Sequence, residues 1–355
     1  MFQKVKVRTL PFREGWLAPP SIDSRPLASA FQAKDADIIV SCYDNWTDHR
    51  HAGWGNLVDA ARRATPGGSC VWDGVAFVRG EWPMPDWHLI LNNLDWERQN
   101  LRFWGRPNRT VFAVCEPPTS LHRPWHFAQG DGTIVLTCDE IAASTGPPSR
   151  RYQLEPSLTP SWTVDRSIDY LRANPTPEKT RSLSWICSAE NAMPGHNFRL
   201  DFLRRLQNQV EFDHFGRGFK PITDKWDGLA PYRYSIAFEN FQDDWYFTEK
   251  LGDCFVAETM PIYYGSPAIT RFFPEDSLLI LDPDDPDVIR IIQDAVKSKR
   301  WEQNLDAIRE AKRLVLEEHN VFARLARFFK RETDKPDRLR PLHLTRIDLD
   351  YTALA

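Results

Sequence analysis

The chain has 355 residues, of which 42% are hydrophobic and 26% are charged, and its formal net charge is −4 at pH 7. This balance is typical of a globular protein with room for about two domains. It argues against a nucleic-acid-binding protein, which would carry a strongly basic surface, and no apolar run reaches the roughly 18 residues that a membrane span requires.

The first half of the chain alternates short β-rich runs with turn-rich segments. Gly55–Arg63 is a predicted helix within it, and a polar stretch with two prolines, Leu171–Arg181, is predicted to be a linker. These features place an N-terminal domain at residues 1–172. The predicted strands are Lys4–Leu10, Ala36–Ser41, Trp87–Leu91, Thr110–Cys115 and Thr133–Thr137.

The second half alternates strands and helices more regularly. Such alternation predicts a parallel sheet covered on both faces. Two sheets in tandem predict an α/β fold of two Rossmann-like lobes, the second at residues 173–332, followed by a tail at 333–355. The predicted strands are Arg181–Ser188, Val210–Phe215, Tyr232–Phe238, Met260–Gly265 and Ser277–Leu281, and the predicted helices are Phe198–Gln209, Thr248–Glu258, Asp287–Ser298 and Arg300–Arg331.

One strand-to-helix turn, in the stretch YSIAFENFQDDWYFTEKLGDC, is crowded with polar and charged residues. Ligands of open α/β sheets bind beyond the carboxyl ends of the strands, where helix N-termini favour phosphate. Thr248 is the predicted N-cap of the following helix, and Lys250 lies in its first turn. A cation there opposes the helix dipole unless an anion binds. The alternative is that Glu249 and Lys250 are surface charges on an exposed turn.

A second turn has the same character. In MPGHNFRLDFLRRL, Pro194 and Gly195 precede a helix that carries Arg199 near its start. Arginine presents a planar, permanently charged group that matches phosphate. The next strand ends in FGRG, where Gly216 and Gly218 would permit close approach of the backbone to a ligand. Three adjacent strand ends therefore predict an anion site.

These motifs resemble glycosyltransferase family 10, the α1,3-fucosyltransferases. The residues that carry the resemblance are Phe238-Glu239-Asn240, the run Tyr246–Lys250 (YFTEK) and the run Pro261–Pro267 (PIYYGSP). The resemblance extends over Trp185–Asp282 and is weak in the N-terminal half. Phe241 and Trp245 replace a serine and an aspartate that are common in the family.

The resemblance implies a GT-B fold, with two Rossmann-like lobes facing each other across a cleft. It implies an inverting transfer of L-fucose from GDP-fucose to a glycan hydroxyl, with no required metal or cofactor, although a divalent metal could stimulate the reaction. Arg199 and Lys250 would hold the diphosphate. The donor pocket would be lined by Asn240, Tyr246, Glu249, Gly216, Gly218, Gly265 and Ser266.

Direct displacement also needs a base for the acceptor hydroxyl. The run VFAVCEPPTS ends at a carboxylate, Glu116, and the family often shows Glu-Ser-Pro at an equivalent strand end. The resemblance thus implies Glu116 as the base, with a structural or exposed carboxylate as the alternative. His122 and Trp125 follow it and are predicted to contact the acceptor, since aromatic faces stack on sugars. The alternatives are a surface histidine and a core tryptophan.

Two other functions remain open: the same fold acting on a different nucleotide sugar, and a non-catalytic protein that binds a nucleotide or a glycan. The string Asp282-Pro283-Asp284 is predicted to be a turn and not a metal site. His49 and His51 lack further ligands for zinc, and the six cysteines are predicted to be buried thiols.

The N-terminus shows no apolar signal region, so we expect a cytoplasmic protein. The last predicted helix is expected to pack on the first lobe. Its basic end is predicted to be a solvated face, with weak contact to the inner membrane surface as the alternative. The basic residues are Arg324, Arg327, Lys330 and Arg331.

Overall fold

The structure is a computed structural model that describes residues 36–44, 57–80, 85–93, 100–119, 122–127, 132, 134–174, 176–333 and 340–345. The described residues divide into two compact units. Unit 1 contains those up to Leu158, the short piece Ser167–Asp169, and those from Val321 onward. Unit 2 contains Thr159–Arg166 and Tyr170–Asn320.

Unit 1 is built on a seven-stranded sheet. Its elements up to Leu158 are β1 (Ile38–Asp44), α1 (Leu57–Ala64), β2 (Val71–Trp72), β3 (Val75–Arg79), β4 (Trp87–Leu91), β5 (Asn100–Gly105), β6 (Thr110–Ala113), α2 (Arg123–His126), β7 (Ile134–Thr137), α3 (Glu140–Thr145) and β8 (Arg151–Leu154). The strand order is β2-β3-β1-β4-β6-β7-β8. All neighbours are parallel except the β2–β3 hairpin at one edge.

The central strands of unit 1 form where the sequence predicts them. β4 has the predicted bounds and is buried along its whole length, as expected for a strand covered on both faces. The β2–β3 hairpin was not predicted, although its turn carries the Asp73-Gly74 pair with positive φ at both residues, a strong hairpin signal. β8 was also missed, because its sequence RYQL is too short for its alternation of polar and apolar residues to stand out. The predicted strand Lys4–Leu10 lies outside the described residues.

Unit 2 is built on a five-stranded parallel sheet. Its elements are α4 (Ile168–Ala173, which begins in unit 1), β9 (Arg181–Ile186), α5 (Pro194–Leu206), β10 (Asp213–Phe215), β11 (Tyr232–Phe238), α6 (Glu249–Val256), β12 (Met260–Tyr264), β13 (Leu279–Ile280), α7 (Val288–Lys297), α8 (Arg300–Gln303) and α9 (Leu305–Arg313). The strand order is β10-β9-β11-β12-β13, which is the doubly wound order 2-1-3-4-5.

An aromatic core fixes α5 on this sheet. Trp185 of β9, Phe202 of α5 and Phe238 of β11 pack together, with ring centroids 4.8 Å apart for Phe202 and Phe238 and 5.6 Å apart for Trp185 and Phe238. All three side chains are buried. The apolar residues at helical spacing therefore form one buried face of α5, as the sequence predicted. The packing of this face on the sheet also places the N-terminus of α5 beside the end of β11.

The prediction of one helix over Arg300–Arg331 was wrong. After α9 the chain forms a π-helix at Leu314–Glu318, and a new helix, α10 (Val321–Thr333), follows. The buried Asn320 donates from Nδ2 to the carbonyl of Leu316 at 3.2 Å. Such side-chain bonds to the backbone compete with regular helix geometry. The predicted linker Leu171–Arg181 also begins inside a helix, since α4 continues to Ala173.

The last helix, α10, belongs to unit 1, as expected of the final helix. It packs its aromatic face on the sheet: Phe322 contacts Phe77 and Phe329 contacts Trp87, with ring centroids 5.1 Å apart in both pairs. The unit limits thus differ from the predicted domain limits, since residues 321–332 lie in unit 1 and residues 159–166 in unit 2. A final strand, β14 (Arg340–Thr345), pairs antiparallel with β5.

Three of the basic residues at the end of the chain have acidic partners within unit 1. Arg324 bonds to Glu155 at 2.9 Å, Lys330 to Asp73 at 2.8 Å, and Arg331 to Glu332 at 3.2 Å. In the described part of the chain, no helix combines the length and the hydropathy needed to cross a membrane.

Candidate active site

The topology of unit 2 points to one edge of its sheet. The strand order reverses between β9 and β11, because the chain leaves β9 toward β10 on one side and leaves β11 toward β12 on the other. Ligands of doubly wound folds bind beyond the carboxyl ends of the strands at this switch point. α5 begins after β9 and α6 begins after β11, so both helices start at this edge.

The start of α5 is held close to the end of β11. Pro194 occupies the first helical position after Met193, where its fixed φ suits the helix and no donor is lost. A Cβ on Gly195 would lie 1.9 Å from the carbonyl oxygen of Asn240. Glycine is therefore required there for the close approach of two backbones. His196 follows, with Nε2 3.4 Å from Nδ2 of Asn240.

The start of α6 is organised by a buried carboxylate that sequence reasoning did not assign. Glu239, at the end of β11, accepts from the backbone N–H of Thr248 at 2.8 Å and from the Thr248 hydroxyl. It also accepts from Nζ of Lys250 at 3.2 Å. Thr248 is the N-cap, as predicted, and accepts from the N–H of Lys250. Glu239 lies within the motif FEN, but the motif alone does not reveal this role.

Arg199 and Lys250 come together at this edge. Both line one pocket whose wall includes Ile236–Phe238 of β11. Burial raises the pKa of the Cys187 thiol, and the positive charges of Arg199 and Lys250 both oppose that rise, so the two cations act on the same point. Arg199 is buried, and its Nε has no hydrogen-bond partner among the described residues. This is the arrangement that an anion site requires.

His196 lies within the field of the same cations. Burial lowers its pKa to about 4, with Arg199 and Lys250 adding to the decrease and Glu190 opposing it. The imidazole is therefore neutral near pH 7. Sequence reasoning missed His196, because a lone histidine in a helix start carries no signal of its own.

Glu249 is an ionised carboxylate between two ammonium groups. Its Oε1 lies 3.8 Å from Nζ of Lys250 and 3.8 Å from Nζ of Lys225. Burial acts to raise the pKa of Glu249, but the charges of Lys250 and Lys225, together with hydrogen bonds from its own backbone N–H and from Thr248, lower the pKa overall. An ionised carboxylate is a pure acceptor. Glu249 is thus suited to hydroxyl groups of a ligand.

Four buried polar atoms at this edge have no hydrogen-bond partner in the described residues. Each atom left so costs about 1–3 kcal/mol. Because both donors and acceptors are included, a polar ligand with phosphate and hydroxyl groups would complete the set, provided that neighbouring side chains shift to admit it. The atoms are Nε of Arg199, Nδ1 of His196, Oδ1 of Asn240 and Oε2 of Glu249.

Three other predicted donor-pocket residues shape the loop between β11 and α6. Ser266 donates from its hydroxyl to the carbonyl of Asp244 at 2.9 Å, and the carbonyl of Gly265 accepts from Gln242 at 3.2 Å. Tyr246 is buried and meets Phe241 edge-to-face, with ring centroids 6.2 Å apart. These contacts hold the loop that carries Asn240.

Gly216 and Gly218 have a structural explanation within the chain. Their φ angles are 145° and 87°, which favour glycine. A Cβ on Gly216 would lie 2.1 Å from the carbonyl oxygen of Cys187, and one on Gly218 would lie 2.5 Å from Cβ of Ala189. The close approach that these glycines permit in the structure is thus to the segment after β9.

Glu116 lies at the carboxyl edge of the unit 1 sheet, three residues after β6. Its side chain is 22% exposed. Nδ2 of Asn92 lies 3.5 Å from its Oε1, and Nε2 of His122 lies 4.0 Å from its Oε2. Asn92 also accepts from the N–H of Cys115 at 2.7 Å, so it connects the ends of β4 and β6. The structure thus places Glu116 beside His122, which is buried and not a surface histidine.

The residues after Glu116 form the short helix α2. His126 is buried and bonds to the Thr137 hydroxyl and, at 3.1 Å, to the carbonyl of Glu116. Burial is the main reason that its pKa falls to about 4. Trp125 lies in α2, but its side chain is outside the described residues, as are His49 and His51.

The remaining predictions concern metals and cysteines. The backbone N–H of Asp284 donates to Oδ1 of Asp282 at 3.0 Å, which is an Asx turn, as predicted. Within the described ranges, no group of three or more His, Cys, Asp or Glu side chains could hold a metal ion. All six cysteines are buried and free, which confirms the prediction of buried thiols.

Comparison with known proteins shows what the segment that carries this site is similar to. Residues 176–285 match the family model Glycosyltransferase family 10 (fucosyltransferase) C-term. The class to which this segment is similar is therefore the glycosyltransferases. The family that this segment matches is glycosyltransferase family 10, so the resemblance predicted from the motifs is confirmed over residues 176–285.

Curated relatives agree with this match. Human Alpha-(1,3)-fucosyltransferase 7 is 32% identical over 197 residues, which are 53% of this chain and 52% of the relative. Human GDP-fucose protein O-fucosyltransferase 3 is 32% identical over 133 residues, which are 33% of this chain and 28% of the relative. The FucT Alpha-(1,3)-fucosyltransferase of Helicobacter pylori is 36% identical over 58 residues, 16% of this chain and 12% of the relative. The chain thus matches only part of the length of each of these relatives.

Solved structures give weaker matches. A crystal structure of alpha1,3-fucosyltransferase with GDP-fucose is 15% identical with a TM-score of 0.47, over 85% of this chain and 95% of that one. The DNA-modifying enzyme β-glucosyltransferase is 8% identical with a TM-score of 0.47, over 84% and 100%. The fold class rests on the two sheets of this chain: an α/β protein with two Rossmann-like lobes, as expected for GT-B, is confirmed.

Proposed function

We propose that the protein is a glycosyltransferase that moves L-fucose from GDP-fucose to a hydroxyl group of a glycan acceptor, with inversion at the anomeric carbon. The observation that carries the proposal is the convergence of Arg199 and Lys250 on one pocket, beside the starts of α5 and α6. The family match over the same segment supports a nucleotide-sugar donor.

The diphosphate is assigned to the two cations and the helix N-termini. The ammonium group of Lys250 has three donors, and two of them are used by Glu239 and the hydroxyl of Thr248. The third remains for a phosphate oxygen. As the sugar–phosphate bond breaks, negative charge grows on the leaving GDP and positive charge on the sugar. Fixed donors aimed at the leaving group stabilise this transition state.

The rest of the donor is assigned to groups that accept hydrogen bonds. Oε2 of Glu249 and Oδ1 of Asn240 have no partner in the described residues. The hydroxyl groups of the ribose or of the fucose supply the donors that these atoms lack.

The acceptor hydroxyl requires a base, and we assign this role to Glu116. Its carboxylate takes the proton while the acceptor oxygen forms a bond to the anomeric carbon and GDP leaves with the bonding electrons. No metal is required in this scheme, because Arg199, Lys250 and the helix N-termini supply the positive charge. The cytoplasmic location stays a prediction.

The test begins with donor identity. Calorimetry with GDP-fucose, GDP-mannose and UDP-sugars, in the presence of a chelator, should show the tightest binding for GDP-fucose. Transfer of labelled fucose to a glycan array should then reveal the acceptor. Binding of UDP-sugars alone would contradict the donor assignment. Binding of GDP-fucose without transfer or hydrolysis would favour a non-catalytic protein.

Arg199→Met tests the diphosphate site. Removing one fixed donor to a developing charge lowers the rate by about 100- to 1,000-fold, and we expect a loss of this size in fucose transfer. The matched control is Arg204→Met in the same helix, since Arg204 is exposed and pairs with Asp201. The thermal midpoint of both variants separates loss of function from loss of fold. Equal transfer by the two variants would contradict the assignment.

A further inference from the structure

The reaction proposed above gives no part to Lys225, yet it lines the same pocket as Arg199 and Lys250. It begins the short 3₁₀ helix Lys225–Gly228, which Asp224 caps by accepting from the N–H of Trp226. Its Nζ lies 2.9 Å from Oδ2 of Asp253 and 3.8 Å from Oε1 of Glu249.

The partner that anchors Lys225 is itself fixed. Asp253 is buried and also accepts from the Thr163 hydroxyl at 2.8 Å and from the backbone N–H groups of Thr163 and Val164. A carboxylate held by four donors has little freedom to move. The ammonium of Lys225 is therefore kept within reach of Glu249, although its own stem is long and flexible.

We propose that Lys225 is a positioning residue of the donor site, which holds Glu249 as an ionised acceptor for a hydroxyl group of the nucleotide sugar. This inference rests on the proposed function. The charged groups around Glu249 are Lys250 on its own helix and Lys225 on the 3₁₀ helix. Their carboxylate partners are Glu239 for Lys250 and Asp253 for Lys225.

The consequence is a particular dependence on pH. Burial acts to raise the pKa of Glu249, and the charges of Lys250 and Lys225 are the two largest causes that lower it. Without Lys225, one of the two opposing charges is gone and the pKa rises. As pH falls, Glu249 then takes up a proton at a higher pH than in the wild type. A protonated Glu249 accepts less well, so donor affinity is lost earlier on the acid side.

The experiment is calorimetry of GDP-fucose with the full chain between pH 5 and pH 8, on the wild type, Lys225→Met and Lys225→Arg. At pH 8 we expect Lys225→Met to bind more weakly than the wild type only to the extent that one pocket-lining cation is lost. At pH 5 the loss relative to the wild type should be larger than at pH 8 by about a further tenfold or more, the effect of losing a charged hydrogen-bond acceptor. Lys225→Arg should restore the wild-type profile. The control is Lys220→Met. Lys220 is exposed and lies, like Lys225, between β10 and β11, and its replacement should leave the pH profile of donor affinity unchanged.

A structural role predicts something else. Lys225→Met leaves Asp253 without its ion-pair partner, so Lys225→Met/Asp253→Asn is the second variant if the first does not fold. A loss of affinity that is equal at every pH would overturn the inference, as would a wild-type profile in both variants. Absence of GDP-fucose binding to the wild type would overturn the proposed function as well. Wild-type binding with no change on the acid side would overturn this inference alone.

Discussion

The two sheets of the molecule share a strand order but carry different chemistry. In unit 1 the parallel strands run β3-β1-β4-β6, and in unit 2 they run β10-β9-β11-β12. The strand order therefore reverses between β1 and β4 in unit 1 and between β9 and β11 in unit 2. In unit 2 that edge carries two cations beside two helix starts: Lys250, which is paired with a carboxylate, and Arg199, whose Nε has no hydrogen-bond partner among the described residues. In unit 1 that edge carries the partly exposed carboxylate Glu116 beside the amide Asn92. A second carboxylate there, Asp44, is paired with Arg79 at 3.2 Å.

The difference teaches that topology fixes where a site lies and that local residues decide what it can do. At each edge, a residue at the end of one strand contacts a side chain of the site. Glu239 restrains Lys250 in unit 2, and Asn92 contacts Glu116 in unit 1. A restrained ammonium suits an anionic leaving group, whereas a partly exposed carboxylate suits a proton. The proposed reaction needs one of each.

The strongest way to break this comparison is Glu116→Gln. A general base contributes about 100- to 10,000-fold to the rate, and we expect fucose transfer to fall by that amount while GDP-fucose affinity stays as in the wild type. Transfer kinetics and calorimetry on the same preparation measure both. The matched control is Glu140→Gln on the exposed face of α3. If Glu116→Gln weakens donor binding but not turnover, the chemistry is not divided between the units as proposed.

Much of the fold follows from local sequence. β4 was predicted with its observed bounds because four of the five residues in WHLIL are apolar, as expected of a strand that is buried on both faces. β8 was missed because RYQL alternates polar and apolar residues over only four positions, which is too short a run to stand out in the sequence. The helix break at Asn320 was missed because the spacing of apolar and basic residues in the sequence does not reveal the hydrogen bond from the Asn320 side chain to the carbonyl of Leu316.

The candidate site divides in the same way. Arg199 and Lys250 were singled out because their motifs lie at strand ends, and Glu249 was added through the resemblance to the family. Gly195, Glu239 and Lys225 were not assigned, because each acts on a residue that is distant along the chain: Asn240, Lys250 and Glu249 respectively. Those pairings arise only when strands and helices pack, and one sequence contains no signal for them.

A smaller predicted effect concerns the stability of unit 1 at acid pH, which depends on His126. Burial lowers its pKa to about 4, whereas an unfolded histidine titrates near 6.5. Between these values the unfolded state binds more protons, so unit 1 loses stability as pH falls from about 6.5 to about 4. The loss from this one group reaches about 3 kcal/mol.

His126→Gln should remove that part of the acid sensitivity, because glutamine does not titrate and can still donate to the carbonyl of Glu116. Hydrogen exchange of β6 and β7 as a function of pH reports unit 1 alone. His196 in unit 2 also has a pKa of about 4, so exchange of β9 and β11 should keep its wild-type pH dependence. An unchanged slope in β6 and β7 of the variant would show that His126 is not the source.

The smallest predicted effect concerns the two helix N-caps near these edges. Thr248 caps α6. Asp139 caps α3, because its Oδ1 accepts from the N–H groups of Ile141 and Ala142. Removing either cap with alanine should cost about 1 kcal/mol of stability. Only Thr248→Ala should also weaken GDP-fucose binding, since its hydroxyl accepts from Nζ of Lys250 at 3.0 Å. Thr248→Ser keeps the hydroxyl and should retain both properties. Donor affinity lost equally in the two alanine variants would mean that capping, and not the restraint on Lys250, supports the site.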